Sequence, residues 1–221
     1  MNIKLINSFL NDLNINNNRE WFNQNKFRYD EAKSEFETFA NILITEVSKF
    51  DNEIKNISTK DCLFRIYNDT RFSKNKPPYK TNFGVHISKN GKNSGNSGYY
   101  LHIEPNNFFI GGGIYMPAND KLKLIRQEIY YNLDEFNSIV FNKNFKKYFK
   151  EIVGEKLKKI PKGFPEDFIS SEILKYKSYI AIHNISLEKI LLTDFKDFIL
   201  ELFETMMPLN HFINRALYNR D

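Results

Sequence analysis

The sequence predicts one α+β domain over residues 1–221, an antiparallel sheet of about four to six strands packed under helices, with helical N- and C-terminal regions. Three observations predict it. No Gly occurs before Gly84 and no Pro before Pro77, and seven of the nine Gly lie between Gly84 and Gly113. Apolar residues recur at helical spacing in the front of the chain and alternate in the middle. No internal repeat and no Pro-, Ser- or Gly-rich linker divides two cores. The chain therefore reads as helical over 1–58, mainly β over 61–117, and mixed but mainly helical over 118–221.

Each element has its own signal. Residues 3–12 read as a short helix. A second helix begins near Asn17, where Asn17 and Glu20 fit a capping box that satisfies free backbone N–H groups of the first turn. Trp21, Phe22, Tyr29, Phe36, Phe39, Leu43, Val47 and Phe50 follow at helical spacing, as one long helix or two joined by a bend. Residues 62–69 alternate, with Phe64 and Ile66 on one face and Arg65, Tyr67 and Asp69 on the other. Residues 83–88 set Phe83, Val85 and Ile87 against His86, and residues 99–104 set Tyr99, Leu101 and Ile103 against Tyr100, His102 and Glu104. The polar run 89–98 is a hairpin loop, and 107–115 is a fourth strand ending in the triple glycine 111–113. Helices follow at about 119–131, capped by Asn119 or Asp120, and at about 134–150. Residues 155–160 and 178–185 are candidate strands, and 168–176 is helical. The last helix runs from about 194 to about 218, interrupted at Pro208.

Composition excludes several classes. Hydrophobic residues make up 41% of the chain and aromatics 15%, too many for a disordered tail. No apolar run approaches the ~20 residues of a transmembrane helix. The first residues lack the apolar run and cleavage site of a signal peptide. Cys62 is alone, which excludes a disulfide framework and a Cys-based metal site. The expectation is a soluble, cytoplasmic protein with no membrane partner.

The net charge of +5 is uneven. Residues 65–80 carry Arg65, Arg71, Lys74, Lys76 and Lys80 against Asp69, and residues 143–162 carry eight Lys against Glu151 and Glu155. The rest of the chain is net acidic, so an anionic partner at one or both segments is expected. The second segment holds only Lys and also fits a solvated surface. The first retains Arg in a chain of 25 Lys and 7 Arg. A planar, bidentate grip on a carboxylate or phosphate explains that retention, and so does an internal Arg–Asp pair.

The densest stretch is FRIYNDTRFSKNKPPYKTNFG, residues 64–84. With NNREWFNQNKFRYD at the front, YYLHIEPNNFFIGGGIY in the middle, Ile125–Arg126, PKGF and KYKSYIA, it resembles a bacterial and fungal family known only as domain of unknown function 2461. The resemblance runs along nearly the whole chain. It implies a compact α+β domain and assigns no activity and no catalytic residue. The family pattern has a basic residue at the place of Asn68 and an acidic one at that of Asn75. Arg65, Asp69, Arg71, Lys74, Lys76, Tyr79 and Lys80 match it as they stand.

Read on their own terms, these residues form a candidate anion site. Pro77 and Pro78 stiffen the loop and present Tyr79 and Lys80. Arg65, Arg71, Lys74, Lys76, Tyr79 and Lys80 would hold a phosphate or carboxylate, with Tyr100 and His102 nearby. Arg126, near the buried side of its helix, either pairs internally or reaches into the same pocket. Asp69 and Tyr67 are the candidate catalytic pair, Asp69 as a general base or as an orienter of an Arg. A buried Arg–Asp–Tyr network tying the loop to the sheet is the structural alternative. His86, His102 and Glu104 form a metal set only if the hairpin pairs symmetrically about residue 94. The triple glycine lacks a nucleotide-binding context and suits close packing or ligand access. His183 and His211 have no evident partners. The first functional expectation is therefore an enzyme or binding protein for a phosphorylated or carboxylated small molecule. The second is a nucleic-acid-binding module using a basic, Tyr-bearing sheet face. The third is an interaction protein without catalysis. The sequence identifies no cofactor and no oligomeric state.

Overall fold

The computed structural model describes residues 1–71, 75–191 and 194–218. Helix α1 (Ile3–Ile15) is capped by Asn2, whose side chain accepts from Leu5 N, and it buries Ile3, Ile6, Phe9, Leu10 and Leu13 at helical spacing. Two helices joined at Asn25 then follow, α2 (Arg19–Gln24) and α3 (Lys26–Phe50). The cap of α2 is Asn18, which accepts from Trp21 N at 2.9 Å, and not Asn17. The amide of Asn17 is engaged elsewhere, with the backbone of Tyr79. A short 3₁₀ turn (Asn52–Ile54) and α4 (Thr59–Cys62) lead to the sheet.

The sheet has four antiparallel strands in sequence order, β1 (Phe83–Ser88), β2 (Gly98–Ile103), β3 (Phe108–Ile114) and β4 (Tyr179–Ile185). Between β3 and β4 lie α5 (Asn119–Tyr131), α6 (Leu133–Val140), α7 (Lys143–Tyr148) and α8 (Ser171–Leu174). The short α9 (Leu187–Ile190) and the long α10 (Phe195–Tyr218) close the chain.

The expected strand at 62–69 is not a regular strand. Its backbone touches the free edge of β1 through a bridge between Leu63 and Val85 and a bond from Phe64 N to Gly84 O. It then turns away to meet residues 78–80, with a bridge between Tyr67 and Tyr79 and a bond from Lys80 N to Ile66 O. The change of partner breaks the alternation, so Ile66 is buried while Phe64 is exposed. Residues 155–160 likewise form no strand. Isolated bridges tie Val153 to Ile180 and Lys156 to Tyr176, at the opposite edge of the sheet. The expected helix at 134–150 is two helices, α6 and α7. The N-cap of α5 is Ala118, not Asn119 or Asp120, which lie inside the first turn. Helix α10 runs through Pro208 without interruption. Pro208 and Glu204, whose carbonyl loses its donor, are both exposed, so water can satisfy that carbonyl.

The helices pack on one sheet face. Phe36 of α3 stacks on Phe83, and Phe203 of α10 meets Tyr99 with ring centroids 5.0 Å apart. Gly112 lies under α10, where a Cβ would come within 2.6 Å of Met206 Cγ. Gly113 adopts φ +101°, and a Cβ there would lie 2.0 Å from Tyr179 O. The triple glycine is thus a place of close approach between strand, strand and helix. The outer face presents His86, Tyr100, His102, Phe109, Ile180 and Ile182, all half-buried, and exposed Asn184. No helix of the described residues is long and apolar enough to cross a membrane.

Candidate functional site

The outer face carries a chain of hydrogen bonds along β2. Tyr100 Oη lies 3.0 Å from His102 Nδ1, and His102 Nε2 lies 3.3 Å from Glu104 Oε2. Residues two apart on a strand share a face, which is why the three side chains meet. An ionised carboxylate only accepts, so Nε2 carries the ring hydrogen and Nδ1 accepts from the Tyr100 hydroxyl. Glu104 is held in turn by Thr81 Oγ1 at 2.7 Å and Asn107 Nδ2 at 2.8 Å. His102 stacks on Phe109 with centroids 4.5 Å apart.

The environment sets the protonation of each member. Burial pushes His102 below its usual pKa despite the neighbouring Glu104, so the ring is neutral. Burial opposes ionisation of Glu104, but bonds from Asn107, Thr81 and His102 outweigh it and hold the carboxyl below its ordinary pKa. Burial, with Glu104 adding to it, pushes the Tyr100 phenol up to about 12. A protonated Tyr, a neutral His and a carboxylate thus stand in series as one hydrogen-bonded chain, and the raised phenol and lowered imidazole keep the proton on Tyr100.

A basic cluster adjoins this chain. Lys80 Nζ sits 5.5 Å from the Phe64 ring centroid, and Phe64 meets the edge of Tyr100 at 6.1 Å. Lys80 directly precedes Thr81, which bonds Glu104, and Asn82, whose amide lies 3.5 Å from His102 Nδ1. Burial, then the positive charges of Arg65 and Lys76, push the Lys80 ammonium below its usual pKa. Among the described residues no carboxylate lies within ion-pair distance of Arg65, Lys76 or Lys80. Asp69, which feels the charge of Arg65, is already gripped by Arg71 through Nε at 3.0 Å and a terminal nitrogen at 2.7 Å.

The structure thus brings together Arg65, Lys76, Lys80, Tyr100, His102 and Glu104, and separates the other candidates. Bonds from Arg71 hold Asp69 well below the usual carboxylate range, which makes it a weak base. Tyr67 packs its ring against Phe22 and Tyr79. Tyr79 is not presented by the proline pair. It is buried and stacked on Phe22 with centroids 3.9 Å apart. Arg126 is buried at the β4 edge, the far edge of the sheet from Arg65, and donates to Tyr176 O at 2.9 Å while its Nε finds no partner among the described residues. Of the two expectations for Arg126, the structure shows the internal partner and not a place beside Arg65. Lys74 lies outside the described residues.

The strand register also moves the histidines. His86 pairs with Tyr100 and His102 with Gly84, so the hairpin is symmetric about residue 93 and the two histidines are not opposite each other. Burial pushes His86 down to about 4. No group of three His, Cys, Asp or Glu able to hold a metal occurs among the described residues. Two histidine contacts had no signal in the sequence. His183 Nδ1 lies 2.7 Å from Tyr148 O, and His211 Nε2 lies 3.0 Å from Asp51 Oδ1. Their partners are 35 and 160 residues away, beyond the reach of any local pattern.

Residues 6–212 match the family model described as conserved hypothetical protein, DUF2461, and the chain belongs to that family. No curated protein and no solved structure is significantly similar to it.

Proposed function

We propose that this member of the DUF2461 family binds a phosphorylated or carboxylated small molecule at the β1 edge of the outer sheet face, beside the hydrogen-bonded chain of Tyr100, His102 and Glu104. The carrying observation is the cluster of Arg65, Lys76 and Lys80 without a carboxylate partner among the described residues. Like charges gathered around a half-buried lysine raise its energy, and a bound anion removes that cost. Arg65 offers the ligand a planar fork and Lys80 a point charge. The phenol of Tyr100 lies one ring away, and its single hydrogen, given to His102 in the free protein, can turn to the bound group instead.

The test is thermal unfolding at low salt against phosphate, nucleotides, sugar phosphates and carboxylates. A ligand at 100 times its dissociation constant adds about 2.7 kcal/mol and raises the midpoint visibly. The reading expects one anion class to do so, with the effect abolished in Arg65→Ala and Lys80→Met. A panel without effect at millimolar concentration overturns it.

A second reading has its own support. The two basic segments lie toward opposite edges of the sheet, one following Leu63, which bridges to β1, and one joined to the β4 edge through Val153. Between them lie the half-buried rings of Tyr100, His102 and Phe109. Two basic rims with rings between them suit a single-stranded nucleic acid. That reading requires binding that weakens steeply with salt and involves lysines of both edges.

A further inference from the structure

A cleft of about 700 Å³ lies at the other end of β1, away from the cluster around Lys80. The two are separated by the six residues of β1, about 17 Å of strand. Its walls are the 3₁₀ turn after α3, residues 55–58, the start of α4 and the tip of the β1–β2 hairpin. Four charged residues line it in balance, Glu53 and Asp61 against Lys55 and Lys89. Asn52, Asn56, Ser58 and Asn90 supply the remaining polar groups.

One side of the cleft is rigid. Asp51, buried at the end of α3, accepts from Tyr99 Oη at 2.6 Å, from Glu53 N at 2.9 Å and from His211 Nε2 at 3.0 Å. Asn214 Nδ2 donates to Glu53 Oε2 at 2.9 Å and is itself locked to the backbone of Ser97. Glu53 is therefore fixed from both α3 and α10. On the hairpin side, Lys89 Nζ lies 4.0 Å from the Tyr218 ring centroid. Asn56 and Asn90 hold φ near +63° and +64° at two corners, a conformation that Asn tolerates among non-glycine residues.

The other polar side chains are not used by the fold. Among the described residues those of Asn52, Lys55, Asn56, Ser58 and Asn90 make no intramolecular hydrogen bond or ion pair. A cleft of this size, within the ~300–1,000 Å³ range of ligand sites, with charges of both signs, of which Glu53 and Lys89 are held in place, and with free amides, matches a ligand with both signs of its own. We propose that it binds a zwitterionic small molecule, a free amino acid or a short peptide, with the ammonium on Glu53 and Asp61 and the carboxylate on Lys55 and Lys89. A purely anionic ligand would leave Glu53 and Asp61 facing a like charge, and an apolar one would strand all four.

The experiment is calorimetric titration of the full chain with triglycine at low ionic strength, beside N-acetylated, C-amidated triglycine. The free peptide binds and the blocked one does not. Lys89→Met and Asp61→Asn each weaken binding about tenfold or more, as expected for lost hydrogen bonds between charged groups. Lys55→Met serves as the second lysine variant should Lys89→Met disturb the hairpin. Arg65→Ala leaves this binding unchanged, which separates it from the anion site. Equal binding of the blocked peptide, or no binding of the free one by the wild-type chain, overturns the assignment.

Discussion

The side-chain amide of Asn17 and the backbone of Tyr79 hold each other in both directions: Asn17 Nδ2 donates to Tyr79 O at 2.9 Å, and Tyr79 N donates to Asn17 Oδ1 at 3.1 Å. The pair joins the turn between α1 and α2 to the residue before Lys80. Stacking of Tyr79 on Phe22 adds an apolar lock beside it. The position of Lys80, and so of the basic cluster, depends on this clamp.

Asn17→Ala removes both bonds and leaves a half-buried donor and acceptor unpaired. The expected loss is about 1–3 kcal/mol of unfolding free energy. Asn17→Asp keeps the acceptor for Tyr79 N but sets a carboxylate against a carbonyl, so it restores only part of that loss. Urea denaturation of the three chains orders them wild type, Asp, Ala. An alanine variant as stable as wild type would remove the clamp from the account.

Gly84 makes room for the Tyr100 hydroxyl. A Cβ at that position would lie 2.6 Å from Tyr100 Oη. Gly84→Ala therefore displaces the phenol from His102 and costs about 1–3 kcal/mol of overpacking. The ring nitrogen signals of His102 report the change directly. Loss of the Tyr100 hydrogen bond at Nδ1 is expected in Gly84→Ala and also in Tyr100→Phe, which keeps the packing. Identical His102 signals in all three chains would contradict the hydrogen bond between Tyr100 and His102.

Helix α10 meets β3 where Gly112 and Met206 touch. In Gly112→Ala the new Cβ would lie 2.6 Å from Met206 Cγ and 2.8 Å from Gly98 O, so both must shift, and the expected cost is about 1–3 kcal/mol. Met206→Ala costs about 2–5 kcal/mol through the cavity it leaves. The double variant recovers part of the sum, because the new methyl occupies space that Met206 vacated. A coupling of about 1 kcal/mol or more in this cycle is the expected result. Strict additivity would mean that the contact with Met206 carries no energy and that the cost of the methyl lies with the backbone oxygen of Gly98.

Asp51 and His211 give a pH signature. The hydrogen bond to Asp51, opposed by burial, raises the pKa of His211 in the fold. Its stabilisation is complete below the unfolded value of about 6.5 and is lost as pH rises through the folded value. Burial opposes ionisation of Asp51, but bonds from His211 and Tyr99 outweigh it and lower its pKa. That stabilisation is present above about pH 4 and is lost as pH falls through the folded value. His211 is partly exposed, so solvent screening limits the pair to about 1 kcal/mol. The difference in stability between wild type and His211→Gln is expected to peak between about pH 4 and 6.5 and to shrink above it. A difference that grows toward pH 9 would contradict the pairing.

Local pattern was enough where strands are bounded by glycine and alternate cleanly. Phe83, Val85 and Ile87, and Tyr99, Leu101 and Ile103, all lie on the helix-covered face as the alternation implies. The same logic fails at 62–69, because Leu63 pairs with β1 while Tyr67 pairs with Tyr79, and no single face persists. The hairpin register depends on how the polar loop folds. The turn at Ser88–Gly91 and the bond from Asn96 Nδ2 to Lys89 O shift the symmetry point by one residue and each histidine by two. Tyr79 looked like a loop residue because its burial comes from Asn17 and Phe22, more than fifty residues earlier. Arg65, Lys76, Lys80, Tyr100 and His102 were all visible as candidates. Their separation from Arg126 was not, since it follows from which sheet edge each occupies.

The most direct measurement is the titration of the Lys80 ammonium by NMR, with and without inorganic phosphate at low salt. In the free protein its pKa is expected below the ordinary 10.5, and phosphate should raise it while the Tyr100 and His102 signals move in the same titration. A Lys80 that titrates at its ordinary value, with all three residues unmoved by phosphate, would contradict an anion site at this edge of the sheet.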